Sequence, residues 1–193
     1  EYHKADFKKY SLLLLDSNVK HTHLTSGYND RRNEVEQGLA IIKSHFPEVK
    51  TFRNCTEEMV NALKNELGEI VYKRCHFVVK EIQRVQDAVA ALENSDFNRL
   101  GSLMTETHHG LSKEYEVSCD ELDFLVDAVA NETSVLGARM MGGGFGGCTI
   151  NIVKNNAVDN FIEQATAAYQ QQFNIVPEAY VMEISEGTAK INV

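Results

Sequence analysis

Met140 to Val153 reads MMGGGFGGCTINIV, and five of the six positions from 142 to 147 are glycine, with only Phe145 between them. Gly142, Gly144 and Gly147 satisfy the spacing G-x-G-x-x-G. That spacing holds a dinucleotide pyrophosphate when a strand precedes the loop and a helix follows it, because the helix N-terminus presents free N–H groups to the anion. Here Cys148 to Val153 follows at once and alternates in the manner of a strand, which excludes a dinucleotide loop. A Walker A loop is excluded too, since Gly-Lys-Ser/Thr occurs nowhere. Two readings stay open. One is a hairpin whose residues need positive φ or lack room for a side chain. The other is a loop whose backbone approaches a ligand closely, with Cβ atoms excluded.

Other residues capable of chemistry are fewer. His21 and His23 lie in an expected loop, while His108 and His109 are adjacent on an expected helix, their rings about 100° apart. Neither pair has a cluster of cysteines or carboxylates nearby, so both read as solvated or structural, and no metal site is assigned. Arg31 and Arg32 fall in the first turn of a helix, where a cation is mildly unfavourable. Salt bridges to Glu34, Glu36 or another carboxylate are expected to hold them. Tyr28, after Ser26-Gly27, either anchors the helix start or hydrogen-bonds a polar ligand. Cys55, Cys75, Cys119 and Cys148 are spaced for neither zinc nor a disulfide framework and are expected to be buried free thiols.

The elements that carry these residues must fit a chain of 193 residues, 43% hydrophobic and 24% charged, a composition suited to a soluble globular protein. The longest run of large apolar residues, Leu12 to Leu15, is far short of the roughly 18 to 20 residues that span a bilayer. A formal charge of −9 argues against a general nucleic-acid binder, whose phosphate contacts need clustered Lys and Arg. Neither nucleic acid nor membrane is expected as a partner, and the cytoplasm is the expected location. The charged opening EYHKADFKKY does not read as a signal peptide, and Glu1 in place of Met leads to the expectation of a piece of something longer.

Ser11 to Asn18 predicts a strand buried on both faces. Val35, Leu39, Ile42 and Phe46 predict a helix from Tyr28 that ends at Pro47. Thr56 before Glu57-Glu58 predicts a helix start. Val78, Ile82, Val85, Val89 and Leu92 predict the packing seam of a helix from about Ile70 to Leu92. Leu100, Leu103, Met104, Thr107 and Leu111 form the inner face of the next helix, and Ser118 with Glu121 predicts a capping box for another. The character then changes. Strands are expected at Ser134 to Met141 and Cys148 to Val153, then a helix capped by Asn156. Two last strands, Ala179 to Ile184 and Ala189 to Val193, flank a Glu186-Gly187 turn. The tail therefore reads β-β-α-β with an extra strand.

Three blocks together resemble one family. Gly137 to Val153, GARMMGGGFGGCTINIV, resembles the third signature of galactokinases, members of the GHMP family of small-molecule kinases. Ser17 to Arg32, SNVKHTHLTSGYNDRR, resembles the family's SNV segment with its Ser-x-Tyr-x-x-Arg-Arg ending. Glu114 to Val126, EYEVSCDELDFLV, preceded by THHGL, resembles its Tyr-x-Val-Ser-Cys block.

The resemblance implies an α+β fold over residues 1–193: a GHMP-kinase C-terminal domain with a ferredoxin-like β-β-α-β sheet packed against a helical layer. It covers only the C-terminal lobe; the N-terminal lobe, with its phosphate loop, catalytic base and arginine, has no counterpart here. The parent enzyme would transfer the γ-phosphoryl group of ATP to the anomeric hydroxyl of galactose, with ATP and Mg2+ bound mainly by the N-terminal lobe. Among the residues present, Tyr28 is implied to contact galactose, while Gly142, Gly143 and Gly144 are implied to support the site. No catalytic residue is implied within this chain, which alone is expected to be inactive. Met141 stands where many relatives carry Thr, which bears on a loop hydrogen bond. A non-catalytic galactose sensor and an N-acetylgalactosamine kinase are the alternatives. A lobe parted from its partner is expected to self-associate, with Leu12 to Asp16 as the candidate surface.

Overall fold

The computed structural model describes residues 6–20, 24–129 and 132–183. His21, His23 and the expected strand Ala189 to Val193 lie outside the described residues. The chain runs through β1 (Tyr10–Lys20), α1 (Leu24–His45), a 3-10 turn at Phe52–Asn54, α2 (Glu57–Ala62), α3 (Lys64–Glu93), α4 (Phe97–Lys113) and α5 (Asp120–Asp127). It continues through β2 (Val135–Met141), β3 (Gly146–Lys154), a 3-10 turn at Asn155–Ala157, α6 (Val158–Phe173) and β4 (Glu178–Met182).

The four strands form one antiparallel sheet in the order β2-β3-β1-β4. The tail is thus the expected β-β-α-β unit, with β1 inserted between β3 and β4. Leu13 and Leu15 of β1 are fully buried, and both edges of the strand are paired. This corrects the expected self-association surface: Leu12 to Asp16 is the interior of a sheet. Exposed apolar side chains lie instead around the outer strand, at Val176, Tyr180, Val181 and Met182.

One sheet face carries Leu13, Leu15, Ala138 and Val153 and packs on α5 and α6 through Leu125, Val126, Phe161 and Tyr169. Thr149 and Asn151 also lie on it, fully buried, so the polar side of β3 is the more deeply covered one. Asn151 Nδ2 donates to the Leu13 carbonyl at 3.1 Å and to Thr149 Oγ1 at 3.2 Å, which offsets the cost of burying the amide. Against the other face, Ile152 and Leu12 meet Leu100 and Leu103 of α4 and Ala91 of α3. Backbone meets backbone here: a Cβ on Gly137 would collide with the Gly101 carbonyl, and a Cβ on Gly101 with the Leu136 carbonyl.

A second core joins α1, α2 and the first half of α3, with Ile42, Val49, Val60, Leu67, Val71 and Cys75 at its centre. Thr56 caps α2 as expected, accepting the Met59 N–H at 3.3 Å. The expected seam of α3 is corrected. Val85 is exposed, and Val85, Val89 and Leu92 line an open groove of about 400 Å³ that also includes Leu12 and Ile150. The buried stripe of α3 is Leu67, Val71, Arg74, Cys75 and Val79, which runs across a break at Gly68, whose φ of 71° is not helical. Two expected caps are corrected as well. Cys119, not Ser118, precedes α5 and makes no side-chain cap bond. A 3-10 turn takes up Asn156, so α6 starts only at Val158.

Candidate functional site

The glycine run forms the β2–β3 hairpin. Gly142, Gly144, Gly146 and Gly147 have φ of 96°, 88°, 126° and 88°, and Phe145 itself sits at 59°. Positive φ therefore accounts for four of the five glycines, since only glycine enters that region without cost. Gly144 is constrained twice, because a Cβ there would strike the carbonyl oxygen of Val117. Around Gly142 and Gly147, by contrast, a Cβ would meet nothing within 4 Å. The close approach that strips Cβ atoms from this run is thus partly an internal one, at Gly144.

Three segments converge on the hairpin. The end of β1 runs beside it, with Asp16 opposite Cys148 and Lys20 opposite Gly146 across a register shift. The start of α1 touches it through Phe145, whose ring lies where a Cβ on Gly27 would be, 2.5 Å from Cζ. The α4–α5 connection, residues 114–119, supports it from below: the Phe145 N–H donates to the Val117 carbonyl at 2.7 Å. The sequence-predicted Tyr28 is therefore brought to the same region as the hairpin. The helix begins at Leu24, four residues earlier than expected, so Tyr28 is not at its start. It is 57% exposed, free to meet solvent or a ligand instead of anchoring the helix.

Beneath Tyr28 lies a charge network that the sequence reading missed. Arg74, 2% exposed, donates through Nε to Glu34 at 2.8 Å, through Nη2 to Glu116 at 2.7 Å and through Nη1 to the Glu114 carbonyl. Arg31 completes it, bonding Glu34 at 3.1 Å and the Glu116 carbonyl at 3.3 Å. Arg31 and Arg32 thus have the expected carboxylate partners, Arg32 reaching Glu36 at 2.8 Å. The network holds Glu116 at a φ of 54°. It also lowers the Glu116 carboxyl below its usual range, chiefly through the Arg74 hydrogen bond. Its signal in the sequence was Arg74 itself, a charge within the stripe Leu67, Val71, Cys75.

His108 is structural, as expected, and 1% exposed. Burial lowers its pKa despite nearby Asp123. His109 is exposed on the adjacent helix face. All four thiols are free, with Cys55 and Cys75 buried and Cys119 and Cys148 only half-buried. Burial pushes Cys75 up to about 12 and Cys119 to about 11, which leaves neither as a thiolate nucleophile at neutral pH. Among the described residues no helix is long and apolar enough to cross a membrane.

A four-stranded antiparallel sheet between helices, with a glycine hairpin facing the start of α1, has counterparts among solved structures. Residues 88–171 match the family model of the GHMP kinase C-terminal domain. The similar proteins are more particular: over nearly all of its length the chain is similar to galactokinases. It is 39% identical over 183 residues to the galactokinase of Clostridium beijerinckii, covering 94% of this chain and 47% of that one. The Thermotoga maritima galactokinase is 39% identical over 191 residues, covering 99% and 52%. Lactococcus lactis galactokinase, solved in complex with galactose, superposes with a TM-score of 0.89 at 28% identity, over 97% of this chain and 48% of that one. The mevalonate kinase of L. major shares the fold, with a TM-score of 0.53 at 19% identity over 93% of this chain and 44% of that one. The chain spans about half the length of the curated relatives it matches, and corresponds to their C-terminal part.

Proposed function

We propose that this chain is the C-terminal lobe of a cytoplasmic galactokinase, and that the whole enzyme transfers the γ-phosphoryl group of ATP to the anomeric hydroxyl of galactose, giving galactose 1-phosphate. Superposition on a galactose-bound galactokinase over 97% of the chain carries the reading. The exposed Tyr28 supports it, next to Gly27, which packs on Phe145 of the glycine hairpin, since an exposed polar group beside backbone free of side chains suits a sugar.

Tyr28 is assigned to galactose through its phenolic hydroxyl. Gly142, Gly143 and Gly144 shape the wall of the cleft. ATP and its magnesium ion are assigned mainly to the preceding lobe. The chain has no Walker lysine, and among the described residues no group of three or more His, Cys, Asp or Glu could hold a metal ion. Phosphoryl transfer depends mostly on positioning and on neutralising charge at the transferred group. This lobe would supply positioning only.

The test is galactose-dependent ADP formation, measured for this chain alone and joined to an N-terminal galactokinase lobe. The joined protein is expected to turn over and the chain alone to stay at background. In the joined protein, Tyr28→Ala is expected to raise the KM for galactose about tenfold, the size of one lost hydrogen bond to a polar ligand. Turnover of N-acetylgalactosamine in preference to galactose, or none with either sugar, would reject the reading.

A further inference from the structure

Among the described residues β2 is an outer strand, so its N–H groups on the side away from β3 need partners other than a neighbouring strand. α4 supplies them. At one end Gly101 and Gly137 touch backbone to backbone. Next, the Thr105 hydroxyl oxygen accepts the Ala138 N–H at 3.4 Å. Last before the hairpin, His108 Nδ1 accepts the Met140 N–H at 3.1 Å. A nitrogen that accepts cannot carry the proton, so the neutral ring is protonated at Nε2. Nε2 lies 3.2 Å from Asp123 Oδ1. Neither buried atom has a hydrogen-bond partner among the described residues, so the two face each other as an electrostatic contact. Asp123 Oδ2 meanwhile accepts from Ser112 Oγ at 2.6 Å, which fixes the carboxylate against α4.

We propose that His108 is a positioning residue for the glycine hairpin: its Nδ1 holds Met140, and Asp123 selects the tautomer that leaves Nδ1 free to accept. Its link to catalysis rests on the galactokinase reading; its link to the hairpin does not. Two residues beyond Met140 the chain enters the positive-φ run, so a lost tie at 140 is passed to Gly142 and on to Phe145. An apolar side chain of similar volume would fill the space and leave the hairpin's first strand without this tie.

Three substitutions separate the role from mere space-filling. In His108→Asn the side-chain oxygen reaches the place of Nδ1 and keeps the acceptor. In His108→Gln the amide reaches the place of Nε2 instead. His108→Leu has neither. Amide hydrogen exchange on this chain is expected to leave Met140 within about threefold of wild type in H108N. Protection should fall about tenfold or more in H108Q and H108L, the size of one hydrogen bond, and extend to Phe145. Nitrogen-15 spectra of the wild type are expected to find His108 Nδ1 unprotonated, and Asp123→Asn to populate the other tautomer. The wild-type spectrum decides even if H108L fails to fold: a protonated Nδ1 overturns the proposal, as does undiminished Met140 protection in H108L.

In the joined two-lobed protein, H108N is expected to keep kcat/KM for galactose within about threefold, while H108Q and H108L lose about tenfold at equal folded fraction. Equal activity in all three rejects the positioning role. An inactive wild type would reject the galactokinase reading instead, and the exchange and tautomer results would still decide the role of His108.

Discussion

Gly142 and Gly144 stand two residues apart, and alanine at each separates two reasons for a glycine. Both have positive φ, but only Gly144 lies against another backbone, the Val117 carbonyl. Gly142→Ala is expected to cost about 1–2 kcal/mol, the strain of an L residue in that region. Gly144→Ala adds a collision that neither backbone can relieve cheaply, and is expected to cost about 3 kcal/mol or more. Urea unfolding of the two variants measures the difference, and equal midpoints would refute it. His108 gives a pH signature. Burial holds its folded pKa below the ordinary value, so the unfolded chain takes up this proton first as pH falls. Its contribution to stability is therefore complete above about pH 6.5 and is lost between that value and the lower folded one. Asp123 acts in a separate window. Burial raises it, but the hydrogen bond from Ser112 and the nearby charges of His108 and Lys113 outweigh burial and hold it low. Its contribution is lost only as pH falls from about 3.9. Urea midpoints measured from pH 7.5 to 5 should decline less in H108N than in wild type.

At the scale of elements, Arg74 of α3 connects α1 to the α4–α5 connection, and through it to the hairpin. Arg74→Leu leaves Glu34 and Glu116 with Arg31 as the remaining cation between them. The expected loss is about 3 kcal/mol, at the low end for a buried pair because Glu116 is half-exposed and solvent screens it. The same variant should speed exchange of the Phe145 amide, since Val117 would lose its support. Unchanged Phe145 exchange would show that the connection keeps its shape without the arginine. The sequence allowed the order of the tail strands, the inner face of α4 and the partners of Arg31 and Arg32 to be read, because each is local. The seam of α3 misled because that helix serves two cores along its length, and a single stripe cannot describe both. Thr149 and Asn151 of β3 mark a second limit. Alternation placed them on one face, but only the packing of α5 and α6 makes that the buried face. The hairpin's glycines were legible as needing positive φ, whereas the contact of Gly144 with Val117 joins positions far apart in the chain and left no local mark.

The whole molecule has two main cores, one among α1, α2 and early α3, the other between the sheet, α5 and α6. Native-state hydrogen exchange is expected to resolve them as two opening units with different free energies. Arg74→Leu should widen the gap between them, since it cuts a charged tie from α3 to the segment beside the sheet. A single cooperative opening in both proteins would refute this. The α4–α5 connection also bears on how the chain tolerates changes of length. Surface connections ordinarily accept insertions, because little depends on their path. Residues 114–119 act instead as a mould: Arg74 and Arg31 grip one side, and Val117 shapes Phe145 and Gly144 on the other. One extra residue there would shift the carbonyl that receives Phe145 by the length of a peptide unit. The segment that looks most like a spacer is therefore among those least able to lengthen.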